Sequence, residues 1–332
     1  MSYRLRVLGT VVVLVAIAAL VWANRHELPA AGRALRHADP AWLATAALVL
    51  LLWTVNWVLL QVACREVTGA GGYREFGRLL PVTVASLGLN LAVKSGNVAG
   101  LAAFTADARR RGLPRGRVTG AYLAAAQTAE VAFVVTLALG LAVVAWDGRL
   151  ERAEIVAVVL FAIGLVTRVV ALVAAVRSRE VLRRVWVWPG RLLDRLLRRP
   201  ERPRDTSAAD DFYEAVAEVR ARPLRAVPAM CFGVLVDLLG AAVLWASLAA
   251  VGAGDRPVVA LVAYAVSTLF GIVGVLPGGI GFVEFGAAAV LASYGVPLGV
   301  AAAGVLVFRL FVFWLPLAVG GLLAWRLRSP RE

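Results

Sequence analysis

Polar chemistry is scarce in this sequence. Only 17% of its 332 residues are charged and 61% are hydrophobic, whereas globular chains average about a quarter charged. The apolar residues come in runs instead of alternating with polar ones, which excludes a soluble enzyme and a disordered chain. There are two cysteines, Cys64 and Cys231, each in or beside a hydrophobic run. That excludes a disulfide framework and a thiolate metal site and leaves packing as their role. The two histidines, His26 and His37, share one loop, a setting for solvated side chains and not for metal ligands. No phosphate-binding Gly-Lys-Ser/Thr loop, nucleophile elbow or dinucleotide fingerprint is present. Gly278-Gly279-Ile280-Gly281 is glycine-rich but has no strand before it. The chain is therefore expected to carry no catalytic residue, metal or cofactor and not to be an enzyme. ATP-driven transport would need a separate subunit.

Lysine is almost missing. Of 35 basic residues one is a lysine, Lys94, and the rest are arginines, set against 21 acidic residues for a net charge of +14. Such a charge can serve nucleic acid, but no recognisable binding module accompanies it. The arginines cluster between the hydrophobic runs instead, as in cytoplasmic loops facing anionic headgroups.

Hydrophobic runs span 7–23, 41–64, 79–104, 117–146, 154–176, 224–251, 257–276, 279–295 and 297–325. A bilayer core takes about 20 residues per helix. The expected fold is an all-α, polytopic helical membrane protein with six to eight transmembrane helices and one or two re-entrant hairpins. Residues 1–332 form a single membrane domain. The first run follows Arg4 and Arg6, and Val21-Trp22-Ala23 resembles a cleavage site. Its length exceeds the usual signal-peptide core, so a retained anchor is expected.

Arginine counts set the topology. Segment 105–117 carries five arginines, segment 177–223 twelve, and the carboxyl tail Arg326, Arg328 and Arg331. All three, and both termini, are expected in the cytoplasm. With an internal amino end and every run crossing, the first two segments would be external, so one early run must turn back. Residues 79–104 are the candidate, interrupted by Pro81, Gly88, Asn90, Lys94, Ser95, Gly96, Asn97 and Gly100. Residues 265–294 are similarly broken by Gly271, Gly274, Pro277, Gly278, Gly279 and Gly281. One such hairpin leaves eight crossings; two leave six. In loop 177–223, the stretch Glu180–Arg199 mixes basic and large apolar residues. It reads either as an interfacial amphipathic helix broken at Pro189 or as a linker packed on the membrane domain. Pro200–Asp211 reads as loop and Phe212–Arg222 as a short polar helix.

Six ionisable residues lie inside apolar runs: Lys94, Glu130, Arg168, Asp237, Glu284 and Arg309. Each isolated charge at the bilayer centre costs at least about 2.5–3.5 kcal/mol. Three cations and three anions can balance one another, either as helix-to-helix locks or as a transport site beside broken helices. Gln127 and Glu130 share one helical face, and Asn90, Lys94 and Asn97 follow nearly helical spacing along one wall. Asn56 and Gln61 suit helix–helix hydrogen bonds. The candidate substrate-binding set is Lys94, Asn97, Glu130, Arg168, Asp237, Gly278, Gly279, Glu284 and Arg309.

Two stretches resemble a known family. Val275-Leu276-Pro277-Gly278-Gly279-Ile280-Gly281-Phe282-Val283-Glu284, then Phe308-Arg309-Leu310-Phe311 and Phe313-Trp314-Leu315-Pro316, are similar to the carboxyl half of the lysylphosphatidylglycerol synthase transmembrane region. That region is the flippase-like membrane domain of the multiple peptide resistance factor. Asn90, Lys94-Ser95-Gly96-Asn97 and Gly100, with the basic loop ending in Gly112, resemble its first-half motif, although a proline common in many members is replaced near Lys94. The resemblance implies a bacterial inner-membrane protein that moves, or helps to move, a lipid between leaflets. The motif positions that carry over are Pro277, Gly278, Gly279, Gly281, Glu284 and Arg309. Full-length synthases add a soluble aminoacyl-transfer domain, for which no sequence follows here, so no synthase activity is expected.

The leading expectation is a flippase-like protein for a lipid with an anionic or zwitterionic headgroup. Lys94, Arg168 and Arg309 would attract phosphate; Glu130, Asp237 and Glu284 would balance them or receive an amine. The alternatives are a secondary transporter of a small solute and a non-transporting scaffold for a lipid-modifying or glycosyl-transfer enzyme.

Overall fold

Residues 33–93, 95, 97–113, 115–146, 177–196, 206, 209–210, 213–214, 217, 223–273 and 277–328 are described by a computed structural model. The hydrophobic runs 7–23 and 154–176, together with Lys94 and Arg168, lie outside these residues. The protein is an all-helical, polytopic membrane protein. Its helices are α1 (Pro40–Val67), α2 (Phe76–Ala92), α3 (Val98–Arg110), α4 (Arg115–Trp146), α5 (Arg179–Leu196), α6 (Val227–Ala250), α7 (Pro257–Val273), α8 (Phe282–Ser293), α9 (Leu298–Arg309) and α10 (Leu315–Arg328). A π turn, Leu310–Trp314, joins α9 to α10. Among the described residues four stretches are long and apolar enough to cross a bilayer: Pro40–Val67, Gly116–Gly140, Leu224–Ala250 and Leu298–Arg326. Helices α7 and α8 are apolar but shorter.

Both interrupted runs are helix–break–helix pairs. Residues 79–104 become α2 and α3, which pack on each other around a break at 93–97; residues 265–294 fall on α7 and α8, which do the same around a break ending at Gly281. Two of the expected interruptions do not interrupt. Pro81 lies inside α2 as its sixth residue, past the first turn, so the helix continues there without a backbone donor for the Gly77 carbonyl. Gly88 is helical too, and its role is contact. A Cβ there would lie 2.7 Å from the Cα of Gly320 and 2.9 Å from the carbonyl oxygen of Pro316, so α2 and α10 touch through backbone. Without water to drive association, membrane helices gain most from such close approaches.

The chain divides into two compact units, 50–240 with 313–332, and 1–49 with 241–312. In the first, Val58, Val62, Leu79, Val82, Phe104, Val118 and Tyr122 form one core cluster. Asn56 Nδ2 donates to the carbonyl of Phe232 at 2.8 Å, tying α1 to α6. In the second unit, Asp39 caps α1 by accepting from the Ala41 N–H at 2.8 Å. Trp42 packs edge-on against Trp245 at 5.2 Å between ring centroids, and Gly304 lets α9 rest on Leu248.

The amphipathic segment differs from expectation. Helix α5 continues through Pro189 at the loss of one backbone hydrogen bond. Ala209 and Asp210 are already helical, earlier than the expected loop allowed, because Asp210 is drawn onto α5. Its carboxylate accepts from Arg183 Nε and Nη2 and from Arg179 Nε, each at 2.8 Å, while Arg179 Nη2 also reaches Glu214 at 3.1 Å. These contacts pack the start of α5 on the following segment, whereas Trp188 farther along remains exposed. The hydrogen bond from Arg183 holds the Asp210 carboxyl below its ordinary range, and the same bond raises the Arg183 guanidinium.

Two predictions follow from this packing. Gly320→Ala should overpack the α2–α10 contact and cost about 1–3 kcal/mol, measured as a lower unfolding temperature in detergent; Gly321→Ala, where no atom lies close, should not. A carboxyl whose folded pKa is depressed stabilises above its unfolded pKa and loses that effect as pH falls through the folded value. The α5–Asp210 docking should therefore persist at pH 5 and weaken only below about pH 4, and Asp210→Asn should raise proteolysis of 200–220 at neutral pH.

Candidate functional site

The second break is built from glycine and closed by an ion pair. Gly278, Gly279 and Gly281 have φ of 60°, 64° and 83°, a left-handed region that side chains other than glycine enter at a cost. The chain thus leaves α7 and turns into α8 within a few residues. At the start of α8 the Gly281 N–H donates to Glu284 Oε2 at 2.7 Å. The other oxygen of Glu284 accepts from Arg309 Nε at 2.6 Å, and Arg309 Nη2 donates to the Gly278 carbonyl at 3.0 Å. One guanidinium, 6% exposed at the end of α9, therefore holds both the carboxylate and the backbone of the break. Charge-assisted bonds of this kind are roughly twice as strong as neutral ones. The π turn follows Arg309 immediately, and such turns recur at functional sites.

Among the described residues, the first break is closed by neutral groups. Asn97 enters α3 with φ of 70°, the one non-glycine residue with positive φ among the described residues. Ser95 Oγ accepts from the Ala99 N–H at 2.8 Å. Asn90 on α2 works in both directions: its Oδ1 accepts from the Gly100 N–H at 2.7 Å and its Nδ2 donates to the Tyr122 hydroxyl at 2.9 Å. That hydroxyl in turn donates to the Asn97 carbonyl at 3.0 Å. A Cβ on Gly100 would fall on Asn90, Ser86 and Tyr122, so the node closes only because residue 100 is glycine.

The expected site residues fall into the two units as follows. Gly278, Gly279, Glu284 and Arg309 are brought together in one; Asn97, Glu130 and Asp237 lie in the other. Asp237 is buried on α6 and accepts from Thr136 Oγ1 of α4 at 3.4 Å. Glu130 is exposed on α4, next to a stripe with Val131, Val135 and Leu139. Lys94 and Arg168 are outside the described residues. Among the described residues no group of three or more His, Cys, Asp or Glu is placed to hold a metal.

Two residues were missed by sequence reading. Tyr122 looks like one more large residue in an apolar helix, and only its partners reveal a clamp. Arg65 sits at the end of a hydrophobic run, where an arginine normally reaches the interface. Instead it is 2% exposed, donates to Glu75 Oε2 at 3.0 Å and lies 5.8 Å from the Phe104 ring centroid. It pins the α1–α2 loop at the base of the first hairpin. The nearby Glu75 was the available signal.

The long apolar helices, with two discontinuous pairs closed by buried polar clamps, are those of a multi-pass membrane protein. The family described as lysylphosphatidylglycerol synthase TM region matches residues 7–320, and the chain belongs to that family. No curated protein and no solved structure matches the chain.

Removing one partner of a buried ion pair costs about 3–5 kcal/mol. Glu284→Gln and Arg309→Gln should each destabilise strongly, while the double mutant should lose less than their sum. A double-mutant cycle of unfolding free energies in detergent checks this, and strict additivity would count against the clamp.

Proposed function

We propose that the protein moves, or helps to move, a lipid with an anionic or zwitterionic headgroup between the leaflets of a bacterial inner membrane, with both termini in the cytoplasm. The observation that carries this reading is the Arg309–Glu284–Gly278 clamp at a helix break. Irregular backbone persists at membrane depth only where protein or a water-filled cavity satisfies it, and transport sites sit at such discontinuities. A headgroup phosphate has the chemistry to replace the Glu284 carboxylate on the guanidinium, and the released carboxylate can receive an amine. Within the other unit, Lys94 and Arg168 would offer cations of their own, with Glu130 and Asp237 as their counter-charges. The role is one of binding and passage, without bond-making chemistry.

Reconstitution into liposomes with headgroup-labelled lipids tests the proposal. The wild type should speed exchange of an anionic or zwitterionic lipid between leaflets, and Lys94→Ala should abolish it at unchanged expression and thermal stability. Solute uptake without lipid movement would instead support a secondary transporter. Neither activity would favour a scaffold for a lipid-modifying enzyme.

A further inference from the structure

The chain repeats its own architecture at a spacing close to 183 residues, with α2 and α7 offset by 181 (257 minus 76, 273 minus 92) and the starts of α3 and α8 by 184 (282 minus 98). Val67 and Ala250 close the first helix of each copy, Arg110 and Ser293 end the hairpins, and Arg115 and Leu298 start the helices that follow. Each pair is 183 residues apart (250 minus 67, 293 minus 110, 298 minus 115). Few residues are shared, but those that are fall on the same spacing: Gly69-Ala70-Gly71 with Gly252-Ala253-Gly254, and Gly112-Leu113-Pro114 with Gly295-Val296-Pro297.

The backbone hydrogen bonds repeat as well. Ala70 N–H donates to the Arg65 carbonyl at 2.8 Å, and Ala253 N–H to that of Leu248 at 2.8 Å. Leu113 N–H donates to Ala108 at 3.0 Å, and Val296 N–H to Leu291 at 3.0 Å. In each cap the preceding glycine is left-handed, with φ of 65° and 82° at Gly69 and Gly252, and 65° and 86° at Gly112 and Gly295. Glycine caps are common at helix ends, so one matched cap means little. Two matched caps and three matched helix boundaries at one spacing are not supplied by local propensity.

The copies differ in charge. Segment 105–117 carries Arg109, Arg110, Arg111, Arg115 and Arg117, whereas its counterpart 288–300 has no Lys or Arg. Segment 65–78 holds Arg65, Arg74 and Arg78; its counterpart 248–261 holds Arg256 alone. Under the positive-inside rule the same fold with opposite bias faces opposite sides.

We propose that residues 40–126 and 223–309 form an inverted-topology repeat, in which the first hairpin opens to the cytoplasm and the second to the outside. Tyr122 and Arg309 are then corresponding positioning residues. Each comes from the helix after its hairpin and donates to a carbonyl within the break, Asn97 or Gly278. Tyr122 sits one helical turn before Ala126, the position in register with Arg309. Such a repeat gives each membrane face a hairpin of its own, the arrangement from which alternating access is built. The inference does not depend on what is transported.

Cysteine accessibility in the full-length protein tests it, with Cys64 and Cys231 replaced by alanine. Arg110→Cys and Ser293→Cys occupy equivalent exposed positions at the hairpin ends, and Arg74→Cys and Pro257→Cys at their beginnings. A membrane-impermeant maleimide applied to intact cells should label Pro257→Cys and Ser293→Cys. Arg74→Cys and Arg110→Cys should react only after permeabilisation. Two pairs guard against one variant failing to fold. Labelling of both hairpins from one face, of the two ends of one hairpin from different faces, or of none after permeabilisation would overturn the proposal.

Discussion

The two helix breaks answer to one constraint: hydrocarbon offers no hydrogen bonds, so a helix broken within a membrane must find its partners inside the protein. The chain breaks two helices and supplies each break with a side-chain clamp from the next helix. Around the first, a phenol and an amide take the exposed backbone groups. Around the second, a guanidinium and a carboxylate do so. Loss of either clamp leaves donors and acceptors in an environment where each costs several kcal/mol.

The two clamps are not equal in strength. A neutral hydrogen bond contributes roughly 0.5–1.5 kcal/mol net, and bonds to charged groups roughly 1.5–3. The Asn90–Tyr122–Asn97 chain is therefore the softer closure and the Glu284–Arg309 pair the stiffer one. Asn97, held at positive φ without being glycine, adds a small strain to the softer side. Among the described residues, the two hairpins are thus closed by bonds of different strength.

Much of this was legible in the sequence, for identifiable reasons. Runs of apolar residues announce membrane helices, and Pro277-Gly278-Gly279 with Gly281 announces a break because few other residues tolerate that backbone. Arg309 and Glu284 could be suspected of pairing because unpaired charges are costly there. What remained hidden depends on tertiary neighbours. Gly88 reads as an interruption until Gly320 is seen against it. Pro81 and Pro189 read as breaks, yet both helices continue. Tyr122 and Arg65 take their roles from partners on other segments. The internal repeat escapes notice because the copies share boundaries and caps more than residues.

The Arg309–Glu284 clamp also has an electrical consequence. A unit charge carried across the membrane exchanges about 2.3 kcal/mol with each 100 mV of potential. The guanidinium and carboxylate, 2.6 Å apart, carry no net charge when they travel together. A shift of the second hairpin with this pair intact is therefore insensitive to voltage at that locus. The potential does work there only on charge that the pair leaves unbalanced.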